Sequence, residues 1–207
     1  MSVVPFKADE VQPVVVEGIK LNLGANQHAQ PGFVNVDIED YDGIDVVADL
    51  EKAWPWESGS VAEIVTNDLP EHLRQWYERP DDTLVSAAGE AIARGDALTA
   101  VGKLMEAISK PTRTYGIFHF MGEAHRVLKP GGLLKAQIPT TDHRAWAQDP
   151  THVSYWNENT MLYFLDDGYR NIYPREIKGR WNKVWVGTSV ANPRGESWIR
   201  VVLEKVA

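Results

Sequence analysis

Cysteine is absent from the 207 residues. That excludes a disulfide framework, a cysteine-bound zinc and a thiol nucleophile, and it fits a reducing compartment. Positive charge is scarce as well. Against 29 Asp and Glu stand 21 Lys and Arg, a formal net charge of −8. A chain so acidic has no general affinity for a phosphate backbone, which disfavours nucleic acid as a partner and leaves open only a local basic face. No apolar run approaches the roughly 20 residues of a membrane span. Met1 to Gly18 lacks a basic start followed by an apolar stretch, so no signal peptide is expected. The expectation is a cytoplasmic chain with no membrane partner. Gly-x-Gly-x-x-Gly is missing too, which disfavours a nicotinamide-binding domain. No internal repeat or low-complexity segment occurs. Apolar residues make up 43% of the chain, ample for a buried core.

Short apolar runs, each stopped by a turn signal, organise the chain. Val14 to Val16 has the composition of a short edge strand. Ile19 to Leu23 stops at Gly24; Phe33 to Ile38 follows Pro31-Gly32; Asp45 to Leu50 follows Asp42-Gly43; Val61 to Thr66 follows Ser58-Gly59. Length and β-branched content predict four strands there. An Ala-rich stretch from Leu84 to Ser109 carries apolar residues at helical spacing, broken at Arg94-Gly95-Asp96. It predicts two helices, opened by Pro80-Asp81-Asp82 and closed by Lys110-Pro111. Tyr115 to Leu128 predicts an amphipathic helix that stops at Lys129-Pro130-Gly131-Gly132, followed by a strand from Leu133 to Ile138. A polar stretch runs from Thr140 to Asn159, with Thr160 to Leu165 helical. Two longer strands, Asn182 to Val190 and Ser197 to Val206, close the chain around an Asn192-Pro193-Arg194-Gly195 loop. The sum is an α/β fold: a Rossmann-like seven-stranded, mostly parallel sheet with an antiparallel C-terminal hairpin. The segments Gly24 to Phe33 and Leu50 to Val61 are short for crossover helices, so single turns or bare loops are expected there. One domain over 1–207 is expected, with a helical insertion at about 74–114 that is either a substrate lid, an interaction surface or a solvated hairpin.

Several blocks, in order, carry a resemblance. They are Leu21-Asn22-Leu23-Gly24-Ala25-Asn26, Pro31-Gly32-Phe33-Val34-Asn35-Val36-Asp37, Asp49-Leu50, Leu69-Pro70-Glu71-His72-Leu73, and Glu123-Ala124-His125-Arg126-Val127-Leu128-Lys129-Pro130-Gly131-Gly132. Together they resemble a class I S-adenosylmethionine-dependent methyltransferase, of the methyltransferase-11-like group, over residues 19–139. Gln148-Asp149-Pro150-Thr151-His152 followed by Tyr155-Trp156 is similar to the same group. The resemblance implies S-adenosyl-L-methionine as cofactor and methyl transfer to a small-molecule or glycan acceptor. It also implies a cofactor site at the strand ends, where open α/β sheets bind ligands. Gly24, Ala25 and Asn26 would lie at the amino-acid moiety, Asp37 and Ile38 at the ribose, and Asp49 and Leu50 at the adenine. Asn67 and Asp68 would lie where methyl donor and acceptor meet. The first loop departs from the family's Gly-x-Gly-x-Gly, keeping only Gly24, and so weakens the helix N-terminus that usually faces the cofactor carboxylate.

A hydroxyl or amine acceptor must lose a proton, and histidine is the side chain suited to that near neutral pH. His72, His143 and His152 are the candidates. His152 stands out because Asp149 lies three residues before it in the loop after the fifth strand; the alternative is a turn on which His152 packs against Trp156. His28 reads as a site edge, His119 and His125 as helix faces. No metal ligand set is expected. Trp146, Tyr155 and Trp156 suit a sugar or flat heterocycle, or equally a loop packed on the sheet. Arg170, Arg175, Lys178, Arg180 and Lys183, interleaved with Tyr169, Tyr173 and Trp181, form either a solvated face or an anion-binding one. A noncatalytic protein that keeps this fold as a binding or scaffold module is the competing reading, favoured by the eroded glycine loop.

Overall fold

The structure, a computed structural model, describes residues 18–74, 76–77, 82–109, 113–174 and 176–206. The chain divides into two compact units, Met1–Arg74 with Gly116–Ala207, and Gln75–Tyr115.

The first unit is built on a seven-stranded sheet. Its strands are β1 (Ile19–Leu23), β2 (Val34–Asp37), β3 (Val46–Val47), β4 (Val61–Asn67), β7 (Leu128–Pro139), β8 (Trp181–Thr188) and β9 (Trp198–Lys205). Their order across the sheet is β3-β2-β1-β4-β7-β9-β8. The first five pair in parallel, and β9 runs antiparallel to both β7 and β8. The middle of the sheet is apolar on both faces: Val61, Ala62, Ile64, Val65 and Thr66 of β4 are all buried. Near-continuous burial is what a parallel interior strand requires. Helix α3 (Gly116–Val127) covers the sheet with Phe120, Met121, Ala124 and Val127, and α5 (Glu158–Leu165) adds Met161 and Phe164 to the same core. Two single-turn helices, α4 (Arg144–Ala147) and α6 (Asp167–Arg170), flank α5.

The two short connections carry no helix, as their lengths predict. Polar side chains hold them instead. Between β1 and β2, buried Asn22 donates to the Asn35 side chain (3.0 Å) and to the His28 carbonyl (3.1 Å). Asn35 Oδ1 accepts from the Gln30 amide at 2.7 Å. Between β3 and β4, the Arg126 guanidinium of α3 donates to the carbonyls of Trp56 (2.8 Å) and Trp54 (3.0 Å), while Glu123 accepts from the Trp54 amide at 2.8 Å. An Arg–Glu pair on a neighbouring helix thus satisfies backbone groups that a crossover helix would have satisfied itself.

Three of the departures from the sequence expectation have a visible cause. The strand expected over 45–50 shrinks to Val46–Val47, because Asp49 bends the chain by accepting the Glu51 amide at 2.9 Å. The strand expected over 33–38 stops at Asp37, whose carboxylate accepts the amide of Glu39 at 3.1 Å. The Lys129-Pro130-Gly131-Gly132 turn does not separate helix from strand. It is a bulge inside β7, where two steps along β4 from Val61 to Glu63 match five from Leu128 to Leu133. Gly131, at φ +77, supplies the left-handed residue this needs.

The second unit is a helical hairpin, α1 (Asp82–Ala93) and α2 (Ala97–Ser109), between the paired two-residue strands β5 (Trp76–Tyr77) and β6 (Arg113–Thr114). Gly95 makes the turn at φ +76, and the Asp96 carboxylate caps α2 through the Thr99 amide at 3.1 Å. Val14 to Val16, Pro80, Asp81, Lys110, Pro111 and Arg175 lie outside the described residues.

Candidate functional site

Parallel strands end on one side of a sheet, so the carboxyl ends of β1, β2, β3, β4 and β7 form a common edge. The residues expected at the cofactor gather there. Beyond β1, Gly24 (φ +68) and Asn26 (φ +45) both adopt left-handed backbone, turning the chain back over the edge. The Asn26 amide donates to Asp37 Oδ2 at 2.9 Å, and Asp37's backbone carbonyl accepts from Ala48 at 2.8 Å. Asp37 therefore ties the loop after β1 to the start of the loop after β3. Its carboxylate, which accepts from the amides of Asn26 and Glu39, retains further lone pairs. Ala25 and Leu50 are buried, Asp49 is partly buried, and Ile38 is exposed. Leu69 stands against Gly24: a Cβ at Gly24 would lie 3.0 Å from that of Leu69. The missing side chain thus makes room for a protein leucine at this side of the loop.

Asn67 and Asp68 end β4. Asp68 is left-handed (φ +51), its amide donating to Gln137 of β7 at 2.9 Å. Its Oδ1 accepts from the Trp198 indole N–H at 2.9 Å. Burial pushes its carboxyl from 3.8 up to about 6, against the lowering pull of that indole bond.

Immediately after, Pro70–His72 forms a single 3₁₀ turn, Pro70 starting it where a missing N–H costs nothing. The turn drives the Glu71 side chain inward, to 0% exposure. Across it runs the loop after β7. Val153 and Ser154 donate their amides to the Glu71 carbonyl at 2.8 and 3.2 Å, and the Ser154 hydroxyl donates to the Pro70 carbonyl at 3.0 Å. This sews together two segments 80 residues apart in sequence and brings His152 to His72, ring centroids 4.7 Å apart.

The hydrogen bonds around the two rings assign their tautomers. The Thr151 hydroxyl donates to Asp149 Oδ1 at 2.6 Å, so its oxygen accepts from His72 Nδ1 at 3.0 Å. His152 Nδ1 faces the Trp146 carbonyl at 2.9 Å and donates to it. Both rings then carry their hydrogen on Nδ1 and present the bare Nε2 toward Glu71. The Nε2 atoms of His152 and His72 stand 3.8 and 4.0 Å from Glu71 Oε1, and Asp149 Oδ2 is 3.8 Å from His152 Nε2. Neither carboxylate oxygen of Glu71 has a hydrogen-bond partner; its own amide leans on it electrostatically without reaching bonding geometry. Burial, reinforced by Asp68 and then Asp149, drives the Glu71 carboxyl well above the usual range. Burial and the neighbouring His152 hold His72 below its ordinary value. Hydrogen bonds from Thr151 hold Asp149 below its own.

The sequence places Asp149, His152 and His72 in one list of candidates, and the structure brings them together. It leaves His143 apart, at the exposed N-terminus of α4. Sequence reasoning missed Glu71 as a site residue. The signal was its adjacency to His72 after a proline that starts a turn. It also missed Thr151, which links His72 to Asp149, and Trp198, whose indole reaches Asp68 from β9. Trp146 stacks on exposed Tyr155 (4.8 Å between ring centroids), whereas Trp156 is buried and donates to Ser154 Oγ at 2.7 Å. In the basic run, Arg170 and Arg180 both pair with Asp167.

No protein-family model and no curated protein matches the chain. Solved structures do. A S-adenosylmethionine-dependent methyltransferase from Methanosarcina mazei aligns with a TM-score of 0.50 at 11% identity, over 93% of this chain and 94% of that one. The 1,6-didemethyltoxoflavin-N1-methyltransferase of Burkholderia thailandensis, solved with its substrate and S-adenosylhomocysteine, aligns with a TM-score of 0.50 at 10% identity, over 91% of this chain and 71% of that one. The chain has the class I methyltransferase fold. At such identities the likeness is one of fold, and function has to be argued from the site. No helix among the described residues is long and apolar enough to cross a membrane.

Proposed function

We propose that the protein transfers a methyl group from S-adenosyl-L-methionine to a small-molecule or glycan acceptor. The observation that carries this is the edge itself: Asp37, Asp49 and Asp68 sit at the ends of three parallel strands in the class I methyltransferase arrangement. A cluster of titratable groups, Glu71, His72, Asp149 and His152, follows β4 and β7 at the same edge. Asp37 Oδ1 and Oδ2, which accept the amides of Glu39 and Asn26, would accept the ribose hydroxyls as well. Asp49 and buried Leu50 would hold the adenine. Gly24, Ala25, Asn26 and Ile38 would line the path of the cofactor, with Asn67 and Asp68 beside the sulfonium. A carboxylate there stabilises the cation in the ground state; the rate comes from alignment of the methyl carbon with the acceptor.

In this reading the Glu71–His72–His152–Asp149 cluster activates the acceptor: His152 Nε2 would receive its proton, and the Asp149 carboxylate, 3.8 Å from that nitrogen, would stabilise the imidazolium formed. The Trp146–Tyr155 stack supplies an aromatic surface on the same loop, fit for a sugar ring or a flat heterocycle. Two of the four described cations of the basic run are engaged by Asp167, which supports a non-nucleic-acid acceptor. The competing scaffold reading is weakened by Glu71: a buried carboxylate without a partner costs stability, and such a cost is retained at sites of chemistry.

Calorimetry with S-adenosylmethionine and S-adenosylhomocysteine tests the reading. Binding of both is expected, weakened at least about tenfold in Asp37→Ala, the equivalent of one charge-assisted hydrogen bond. Absence of binding by the wild-type chain at millimolar ligand would overturn the enzyme reading.

A further inference from the structure

The geometry points to a binding site for a divalent transition-metal cation of the zinc class, formed by Glu71, His72 and His152, with Asp149 as an available fourth ligand. The site was not expected from the sequence, and it does not depend on the methyl-transfer reading.

Four observations converge on it. First, one carboxylate oxygen of Glu71 and one ring nitrogen of each histidine lie within 4.8 Å of one another. Two imidazoles with a carboxylate is a donor set that suits zinc, or iron with open positions. A closed tetrahedral site with ligands at 2.0–2.1 Å has donors about 3.3 Å apart. The separations of 3.8 and 4.0 Å between Glu71 Oε1 and the two Nε2 atoms exceed that by well under 1 Å, within reach of small side-chain rotations. Second, with Glu71 ionised, the atoms that converge are all acceptors. Both Nδ1 hydrogens are spent on Trp146 and Thr151, so two nitrogen lone pairs face a carboxylate with no donor between them. Mutually facing lone pairs repel, and a cation among them removes the repulsion. Third, both Glu71 oxygens are fully buried and lack any hydrogen-bond partner, an expensive arrangement unless something bonds to them. Fourth, each histidine is oriented through its far nitrogen. His152 uses a backbone carbonyl, and His72 uses a hydroxyl that is itself held by a carboxylate. That is the support which fixes metal-ligating imidazoles.

The site also has a way in. The His72 side chain is 36% exposed, while those of His152 and Glu71 are 5% and 0% exposed, so the cluster opens on the His72 side. A cation seated there keeps a coordination position toward that opening. With the cation bound, His152 Nε2 is a ligand and no longer a free base, and the cation takes over the acceptor's activation as a Lewis acid on its oxygen.

The test uses the full chain without an affinity tag, stripped with a chelator and titrated with Zn²⁺ by calorimetry. Co²⁺ absorption in the visible reports coordination. The expected result is about one tight site per chain, a visible Co²⁺ band, and a rise in the wild-type thermal midpoint with Zn²⁺. Supporting groups around a metal contribute about 10–100-fold in affinity, so Thr151→Val is expected to lose about tenfold. Glu71→Gln and His152→Ala, which remove ligands, are expected to lose about 100-fold or more. His143→Ala, on exposed α4, is expected to bind as wild type. The proposal is overturned if wild type takes up neither ion, or if Glu71→Gln and His152→Ala bind as tightly as wild type, which would place the cation on other histidines. Should either variant fail to fold, the wild-type Co²⁺ spectrum and the Thr151→Val affinity decide. No band, or no loss, overturns the site. A protonated Glu71 as the sole occupant of the cluster gives that same negative outcome.

Discussion

Asp68→Asn is expected to make the protein more stable and a poorer binder of S-adenosylmethionine at once. Asp68 is partly buried at the end of β4, and burial raises its carboxyl from 3.8 to about 6, the Trp198 indole bond pulling the other way. The folded state therefore keeps a proton that the unfolded chain gives up. Between the two values stability falls as pH rises, because the folded chain binds more protons. Below about pH 4 the folded and unfolded chains are both protonated and no penalty exists; above about pH 6 it is fully present. At about 1.36 kcal/mol per pKa unit, the rise from 3.8 to about 6 amounts to roughly 3 kcal/mol. Asparagine removes the charge and keeps an oxygen for the Trp198 N–H. Urea unfolding across about pH 4 to 8 reads the effect. The variant is expected to exceed wild type by about 2–3 kcal/mol near pH 7, and the two curves should approach one another toward pH 4. The same substitution removes the carboxylate proposed to face the sulfonium, so cofactor affinity is expected to fall about tenfold, a loss in binding for a gain in stability. Wild-type affinity is expected to rise with pH through about 6, and the variant to show no such rise. A stability difference that does not change between pH 4 and 7 would refute the burial argument. Unchanged affinity alongside the stability gain would remove Asp68 from the site.

Two further perturbations address the frame that holds the edge. Lys135 is buried and bonds Glu63 at 2.7 Å, with Lys20 on the same carboxylate at 3.1 Å. Burial raises the Glu63 carboxyl, but the Lys135 and Lys20 bonds outweigh it and bring the net value below normal. Lys135→Met is expected to lose about 2–3 kcal/mol, the low side of a broken buried pair because Lys20 remains, and adding Glu63→Leu should restore most of it; a double variant no better than the single would contradict this. Gly24→Ala meets both a left-handed backbone at φ +68 and Leu69 at 3.0 Å, while Gly32→Ala, at φ +80, meets nothing within 4 Å. The Gly32 variant is expected to lose only the backbone cost of about 1 kcal/mol and the Gly24 variant at least about twice that. Equal losses in thermal unfolding would mean that Leu69 does not crowd Gly24.

Strand content, the helix that leads into β7, the C-terminal hairpin and the lean connections all followed from local chemistry. Alternating or β-branched runs stopped by Gly and Pro, and segments too short to hold a helix, need no tertiary information. The sequence also placed Gly24, Asp37, Asp49 and Asp68 at strand ends, because strand ends are local features. It set His72 and His152 among the candidates on residue type. Other features depended on contacts between distant segments. The Pro-Gly-Gly segment became a bulge because β4 offered it a partner. In the sequence Glu71 is one residue of the Leu69-Pro70-Glu71-His72-Leu73 block. It became the centre of the site only because the 3₁₀ turn aims it inward and the loop after β7 closes over it, excluding water. Which nitrogen of each histidine faces that carboxylate was fixed by a backbone carbonyl at Trp146 and a hydroxyl at Thr151. Spacing along the chain determined which groups were at hand; the burial of one of them, and the direction of two lone pairs, arose only when segments 80 residues apart were packed together.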